Sequence, residues 1–150
     1  MRLTAYTDYA LRTLMYLAVR PERVATIAEI AATYAISEAH LTKIVHQLGL
    51  SGDIATTRGR GGGLRLGKPA ETINLGALVR RTEPDMALVA CFGDSAGCAI
   101  AGACVLSEAL REALDAFLAV LDRYSLADLV APRQRLAALL HLDPPKREYA

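Results

Sequence analysis

The stretch TIAEIAATYAISEAHLTKIVHQLG, residues 26–49, contains two helix signals separated by a short turn. Thr26 and Glu29 have the spacing of a capping box, so we expect a helix to begin directly after Thr26, at Ile27. Ser37 is a good N-cap for a second helix. That helix would bury four apolar positions at helical spacing, Leu41, Ile44, Val45 and Leu48. Two short helices joined by a tight turn are typical of a helix-turn-helix.

A glycine-rich hairpin is predicted to follow the second helix. Residues 54–58 and 64–66 have the character of two short strands, and the sequence Gly-Arg-Gly-Gly-Gly at 59–63 supplies the turn between them. The hairpin contains three arginines and no acid, namely Arg58, Arg60 and Arg65. A flexible surface turn is the simpler interpretation of so many glycines, but the arginines favour a wing that contacts a polyanion.

Helical periodicity predicts three more helices outside this region. The first begins at Thr4 or Thr7 and is broken at residues 20–23, a short one spans about 75–81, and a long one spans about 105–124. The expected fold is mainly α with a small β-hairpin wing, as a winged helix-turn-helix plus a long dimerisation helix. The predicted units are the winged domain (1–82), a loop with all the cysteines (83–104), the long-helix region (105–130) and a C-terminal tail (131–150).

The long helix has an apolar stripe at helical spacing. The stripe consists of Leu106, Leu110, Leu114, Phe117 and Leu121. It could pack against the rest of its own chain or against the same helix of a second copy. We favour a homodimer, because the winged domain offers little else for this helix to pack on and because two-fold DNA sites favour dimeric readers.

The charge of the chain is unevenly distributed. The formal net charge is only +1, but residues 40–68 contain five Lys or Arg residues and one acid, a local balance of +4. From Thr82 to Cys104 there are three acids and no lysine or arginine. A basic region beside a base-free one indicates two separate tasks, and the basic region suits nucleic acid.

The outer side of the second helix would present polar and basic side chains to DNA. We expect contacts from Ser37, His40, Lys43 and Gln47 on this helix and from Arg58, Arg60 and Arg65 in the wing. Gln can pair with adenine and Lys with guanine in the major groove, while wing arginines suit phosphates or the minor groove. A solvated amphipathic helix is the alternative, which the adjoining wing weakens. The sequence contains no convincing Ser-His-Asp or Cys-His set, so we do not expect an enzyme.

Two kinds of segment that the sequence lacks bear on where the protein is located in the cell. No apolar run approaches the roughly 20 residues that span a bilayer, and the N-terminus lacks the apolar segment of a signal peptide. We therefore expect a cytoplasmic protein without membrane contacts, in which thiols stay reduced.

All three cysteines of the chain, Cys91, Cys98 and Cys104, fall in one glycine-containing stretch. An odd, clustered set of reduced thiols favours metal ligation over disulfides. The spacings are wider than the CxxC pairs of most structural zinc sites and suit a loop around an iron–sulfur cluster. Zinc, redox-sensing thiols and buried thiols are the alternatives. Candidates for a fourth ligand are a histidine, water, a small thiol and the carboxylates of Asp8, Glu83, Asp85 and Asp94.

Several motifs are shared with a known family. They are Leu3-Thr-x-Tyr-Thr-Asp-Tyr-Ala-Leu-Arg12, Gly59-x-Gly-Gly-Gly-Leu-Arg-Leu-Gly-Lys-Pro69, the three cysteines, and Leu121-Asp-x-Tyr-Ser-Leu-Ala-Asp-Leu129. Together they cover nearly the whole chain. The chain resembles the winged-helix iron–sulfur repressors, and most of all their nitric-oxide-sensing members. Other members carry a ligand histidine one turn after the third cysteine, where this chain has Ser107.

The resemblance implies both a ligand set and a function. The cluster, [4Fe-4S] in preference to [2Fe-2S], would be held by the three cysteines and by Asp8, the acid on the first helix, which could reach it from the partner subunit. The cluster-loaded homodimer would bind operator DNA and repress transcription, and nitric oxide would attack the cluster and release the DNA. The alternatives are a sensor of redox state or cluster supply and a zinc- or thiol-based DNA-binding regulator. An iron–sulfur electron carrier would leave the wing unexplained.

Overall fold

The computed structural model describes residues 2–92, 98–100 and 103–142. Its helices and strands follow in the order α1 (Ala5–Val19), α2 (Ile27–Tyr34), α3 (Glu38–Leu50), β1 (Ile54–Thr57), β2 (Gly63–Leu66), α4 (Leu75–Thr82), α5 (Val105–Asp122), α6 (Leu126–Leu129) and α7 (Arg133–Leu139). The expected fold class is confirmed, because the described residues are mainly helical and contain one antiparallel hairpin. None of the described helices has both the length and the apolar character needed to cross a bilayer.

The N-caps of the first two helices are formed by threonines. The Thr7 N–H donates to Thr4 Oγ1 at 3.3 Å, and the Glu29 N–H donates to Thr26 Oγ1 at 3.2 Å. The Glu29 carboxylate turns to Tyr16, whose phenol donates to it at 2.6 Å, and it also pairs with an arginine. Only half of the predicted capping box is therefore formed, because the carboxylate has charge-assisted partners elsewhere.

The turn between α2 and α3 contains a residue in the left-handed region, Ala35, with a φ of 53°. The Ile36 N–H returns to the Ala31 carbonyl at 2.9 Å and closes the end of α2. Ser37 precedes α3, but its side chain makes no capping hydrogen bond and is exposed. The apolar residues predicted for the inner side of α3 are all buried. The helix-turn-helix thus forms as predicted, with the Ser37 hydroxyl left on the surface.

The wing is a hairpin in which β1 and β2 pair antiparallel, with Ile54 opposite Leu66. Gly61, in the turn, has a φ of 78°, which residues with a Cβ rarely adopt. Leu64 points inward and is 3% exposed. Its backbone exchanges two hydrogen bonds with Ala25, at 2.7 and 3.1 Å. These bonds attach the wing to the segment that leads into α2.

The segment after α5 returns to the core. The Leu126 N–H donates to the Ile73 carbonyl, just before α4, at 2.8 Å. Four apolar side chains of this segment are buried in the same core as α1, namely Leu126, Val130, Ala137 and Leu142. The expected tail at 131–150 therefore includes a helix and core residues as far as Leu142, and its remainder, 143–150, lies outside the described residues.

Helix α5 packs against α4 of the same chain. Asp122 lies so close to Gly76 that a Cβ at this glycine would collide with the carboxylate. Arg80 donates to both Asp122 oxygens, at 2.6 and 2.8 Å. In the apolar stripe of α5, Leu106 is 65% exposed, and the other four residues are partly buried within the chain. Most of the stripe thus contributes to packing inside the chain, and the start of α5 keeps an exposed apolar surface.

Candidate nucleic-acid interface and thiol site

The polar residues predicted on the outer side of the helix-turn-helix are all exposed, namely Ser37, His40, Lys43 and Gln47. His40 and Lys43 line a cleft of about 220 Å³ together with Tyr6 and Tyr9 of α1. Gln47 lines a neighbouring cleft of about 270 Å³ with Tyr6 and Arg81. Burial raises the pKa of the Tyr6 phenol, and the nearby Arg81 charge partly opposes that increase. The polar side of α3 therefore borders the start of α1.

The wing carries its three arginines on the surface. Arg58, Arg60 and Arg65 are exposed, and Arg65 alternates with the buried Leu64 along β2. Within the described part of the chain, none of the three forms an ion pair. Because α3 packs against β1, the wing and the polar side of α3 belong to one unit. Their uncompensated charges remain available to a polyanion.

Lys68 does not contribute to this exposed positive surface. Its Nζ lies 2.8 Å from Oδ1 of Asp53, whose side chain is completely buried. Arg81 of α4 pairs with the other carboxylate oxygen, to which the Ser51 hydroxyl donates at 2.6 Å. Lys68 and Asp53 thus neutralise each other, and the local balance of +4 is carried by Lys43 and the three wing arginines.

Three consecutive residues at the end of α4, where the cysteine loop begins, are bonded to other parts of the fold. Arg81 reaches the base of the wing through its ion pair. The Thr7 hydroxyl donates to Thr82 Oγ1 at 2.9 Å, and Glu83 Oε1 accepts from the N–H and the hydroxyl of Thr4 at 2.9 and 3.0 Å. Burial acts to raise the pKa of Glu83, but the nearby Thr7 hydroxyl and the two hydrogen bonds from Thr4 outweigh it and hold that pKa below its usual value.

The three cysteines are free thiols. Cys91 lies in a short 3-10 turn and Cys104 is the N-cap residue of α5, and both are partly buried, whereas Cys98 is exposed. In the part of the chain that the structure describes, no three Cys, His, Asp or Glu side chains meet closely enough to hold a metal ion. The thiols suit the chemistry of an iron–sulfur cluster, which would require all three of them to come together.

Asp8 lies in the first turn of α1 and pairs with Arg12. Arg12 Nε donates to Asp8 Oδ1 at 3.0 Å, and its Nη2 lies 3.0 Å from Oδ2. The Asp8 side chain is 43% exposed, so it also remains accessible from outside the chain. The Arg12 guanidinium lies 5.8 Å from the centre of the Tyr34 ring, at the end of α2.

The other acids considered as ligands differ in their surroundings. Glu83 is occupied by Thr4, and Asp85 Oδ1 accepts from the Ala87 N–H at 3.0 Å. Asp94 lies outside the described residues. A cation also approaches the base-free loop, because the Arg111 guanidinium of α5 lies 4.9 Å from the centre of the Phe92 ring.

The family model of Rrf2, described as an iron-dependent transcriptional regulator, matches residues 3–132. The chain belongs to the Rrf2 family. This Rrf2 chain is 49% identical over 144 residues to the HTH-type transcriptional regulator NsrR of Bacillus subtilis (strain 168), covering 95% of this chain and 99% of the relative. It is 51% identical over 142 residues to NsrR of Geobacillus kaustophilus, covering 93% and 97%. The family motifs in the sequence indicated a resemblance to NsrR proteins, and these relatives confirm it.

Solved structures show the same fold. CymR, described as the global cysteine regulator of B. subtilis, has a TM-score of 0.73 at 26% identity, covering 87% of this chain and 97% of CymR. IscR of T. potens also has a TM-score of 0.73, at 20% identity, covering 91% and 90%. The winged-helix architecture is therefore confirmed. As a member of the Rrf2 family, the chain is a DNA-binding transcriptional regulator and not an enzyme.

Two features of the site were not found from the sequence. The first is the group of buried ion pairs around Asp53. The sequence feature that could have indicated it is the presence of a single acid, Asp53, within the basic region 40–68. The second is the bonding of Thr82 and Glu83 to the start of α1. No local pattern signals that second contact, because its partners are far apart in the chain.

Proposed function

We propose that the chain is a nitric-oxide-sensitive repressor whose homodimer binds operator DNA while an iron–sulfur cluster is bound. The observation that carries this proposal is the position of the cysteine loop. It begins at a junction bonded to α1 and to the wing, and it ends at the N-cap of α5. A change of ligation in this loop would therefore reach the DNA-binding domain through bonds already present, as in other local switches with a global result.

The proposed ligands are Cys91, Cys98, Cys104 and Asp8 of the partner subunit. Free, partly accessible thiols support this set, because the thiolate is the form that binds iron. We favour [4Fe-4S] over [2Fe-2S], as the family resemblance implies. Bound iron supplies the chemistry of the sensor, a site with which nitric oxide reacts. Arg12 pairs with Asp8 of the same chain. It would therefore compete with iron for the Asp8 carboxylate and favour release of this ligand from the cluster.

The proposed DNA-binding surface combines α3 with the wing. It consists of Ser37, His40, Lys43, Gln47, Arg58, Arg60 and Arg65. Helix α3 would enter the major groove, and the wing arginines would contact phosphates or the minor groove. The exposure of all seven side chains and the absence of ion pairs at the four Lys and Arg residues, within the described residues, support this assignment.

The proposed homodimer forms through α5. Val105 and Leu106 are 73% and 65% exposed at its start, and Val120 is 44% exposed near its end. Large apolar side chains exposed on one helix are typical of an interaction surface. A two-fold dimer would present two α3 helices to two half-sites. We also propose a cytoplasmic location without a membrane partner, because thiolate ligands need a reducing compartment.

Purification without oxygen, followed by an absorbance spectrum and iron and sulfide analysis, tests the cluster. We expect a brown protein with about four irons and four sulfides per chain. Cys91→Ala removes one thiolate, so it should give a colourless, folded dimer that binds operator DNA poorly. Ser107→Ala changes the α5 position where other family members carry a ligand histidine, and it should keep both the cluster and DNA binding.

Three results would change this proposal. Full operator binding by a colourless Cys91→Ala protein would contradict cluster-gated binding. A protein that stays iron-free after anaerobic reconstitution would favour a zinc- or thiol-based regulator. Release of DNA by oxygen or peroxide, with no response to nitric oxide, would favour a sensor of redox state or cluster supply.

A further inference from the structure

The carboxylate of Asp53 is completely buried and has three polar partners. Ser51 donates to Oδ2 at 2.6 Å, Arg81 pairs with the same oxygen, and Lys68 Nζ lies 2.8 Å from Oδ1. The partners themselves reach the surface, since the Lys68 and Arg81 side chains are 35% and 43% exposed. Asp53 is therefore an internal anion held by one cation from α4 and one from the segment after β2.

The backbone of Asp53 joins further parts of the DNA-binding domain. Its N–H donates to the Leu48 carbonyl in the last turns of α3 at 2.9 Å. Its carbonyl accepts from the Gly67 N–H, directly after β2, at 2.8 Å. A Cβ at Gly67 would collide with the Gly52 carbonyl, so the two ends of the hairpin lie in close contact here. Asp53 thus contacts α3, both ends of the wing and, through Arg81, α4.

Buried ion pairs contribute little net stability compared with well-packed apolar side chains, because the charges lose their hydration. A buried aspartate with partners from separate elements is better suited to fixing their relative positions. The elements fixed by Asp53 are α3, which carries the proposed major-groove residues, and the hairpin, which carries Arg58 and Arg60. Arg81 also lies two residues before Glu83, where the cysteine loop is bonded to α1.

We propose that Asp53 is a positioning residue for DNA binding, whose ion pairs with Lys68 and Arg81 set the angle of the wing relative to α3. The wing arginines then reach the DNA at the same time as α3. This inference rests on the proposed function in two respects, namely that the cluster-loaded protein is the form that binds the operator and that α3 and the wing arginines contact the DNA. Asp53 itself touches no DNA.

A double-mutant cycle between Asp53→Asn and Arg60→Ala tests the proposal. Operator affinity is measured by fluorescence anisotropy with anaerobic, cluster-loaded protein, on a duplex selected by the wild-type protein from random DNA. In the wild-type background, Arg60→Ala should weaken binding about tenfold, as expected for one arginine contact. In the Asp53→Asn background, the same change should weaken binding less than about twofold, because the displaced wing has already lost that contact.

Asp122→Asn is the matched control, because it removes the partner of Arg80, the neighbour of Arg81 on α4, without touching the wing. In that background, Arg60→Ala should still weaken binding about tenfold. Partial unfolding of the Asp53→Asn protein would lower the apparent operator affinity by the same factor with and without Arg60→Ala. The effects of the two substitutions on the binding free energy would then be additive. Arg81→Gln, which keeps Lys68 beside Asp53, repeats the cycle if Asp53→Asn does not fold.

Additive effects of Arg60→Ala with either Asp53→Asn or Arg81→Gln would overturn the positioning role. Failure of wild-type, cluster-loaded protein to select any DNA would instead overturn the proposed function.

The salt dependence of operator binding gives a second readout. Loss of one phosphate contact reduces the steepness of the plot of log binding constant against log salt concentration by about 0.9. We expect Asp53→Asn to lower this slope and Asp122→Asn to leave it unchanged.

Discussion

At the scale of single residues, the partners of each carboxylate decide its role in this chain. Asp53 is buried between Lys68 and Arg81, whereas Asp8 remains 43% exposed beside one arginine. Glu83 accepts two hydrogen bonds from Thr4. Asp53 and Glu83 are thus committed within the chain, and of these three acids Asp8 is best able to exchange its partner.

Glu83→Gln should lower the free energy of unfolding by about 1 kcal/mol at neutral pH, because a charged acceptor is lost at a partly exposed site. The Glu83 pKa is lowered in the folded protein, so its stabilisation is present above the usual carboxyl pKa of about 4.5. That stabilisation is lost as the pH falls through the folded value. Urea unfolding of wild type and variant at a series of pH values measures the effect.

The exposed Glu22 provides the control for this prediction. Glu22→Gln should change the free energy of unfolding little at any pH. If the destabilisation by Glu83→Gln stayed constant from neutral to acid pH, the charge of Glu83 would not be its cause.

The sequence allowed the thiols, Asp8 and the DNA-facing side chains to be selected as candidates, since each belongs to a local motif. It did not show that Lys68 is an ion-pair partner or that Glu83 is bonded to α1. Both contacts join residues that are far apart in the chain, and charge counting treats every cation as equally available. The ligation of an iron–sulfur cluster by the three cysteines and Asp8 stays a prediction.

At the scale of secondary structure, local signals predicted most elements well. Thr4, Thr26 and Ser37 stand at the N-caps of α1, α2 and α3. The capping box predicted a second hydrogen bond, from the Thr26 N–H to the Glu29 carboxylate, and this part of the prediction was wrong. Tyr16 and Arg23 bind that carboxylate instead. The apolar stripe of α5 predicted the helix, but periodicity alone could not distinguish packing on α4 from packing on a second copy.

Leu106→Glu should disrupt the homodimer, because it places a charge in the exposed apolar surface at the start of α5. Sedimentation at a concentration where wild type is dimeric should show a monomer. Leu139→Glu, at a residue of α7 that is 67% exposed, is the matched control and should leave the dimer intact. A Leu106→Glu protein that stays dimeric would place the interface away from this surface.

At the scale of the whole molecule, a junction at the end of α4 in the described residues connects the segment that carries the cysteines to the proposed DNA-binding surface. Arg81, Thr82 and Glu83 bond that junction to the wing and to α1, and Cys104 opens α5 at the other end of the loop. The return of α6 and α7 to the core of α1 was not predicted, because the bridge between Asn74 and Ser125 is a long-range contact. The proposed iron ligands and the proposed DNA-binding surface therefore belong to adjacent parts of one chain.

Operator affinity before and after nitric oxide, measured on one anaerobic, cluster-loaded sample at fixed salt, tests the proposed switch most directly. The absorbance spectrum reports the reaction of the cluster, and an oxygen-free buffer addition is the control. We predict that the affinity falls by about 10- to 100-fold once the spectrum changes, the range expected for coupling between two sites. An unchanged affinity after the cluster has reacted would contradict cluster-gated repression.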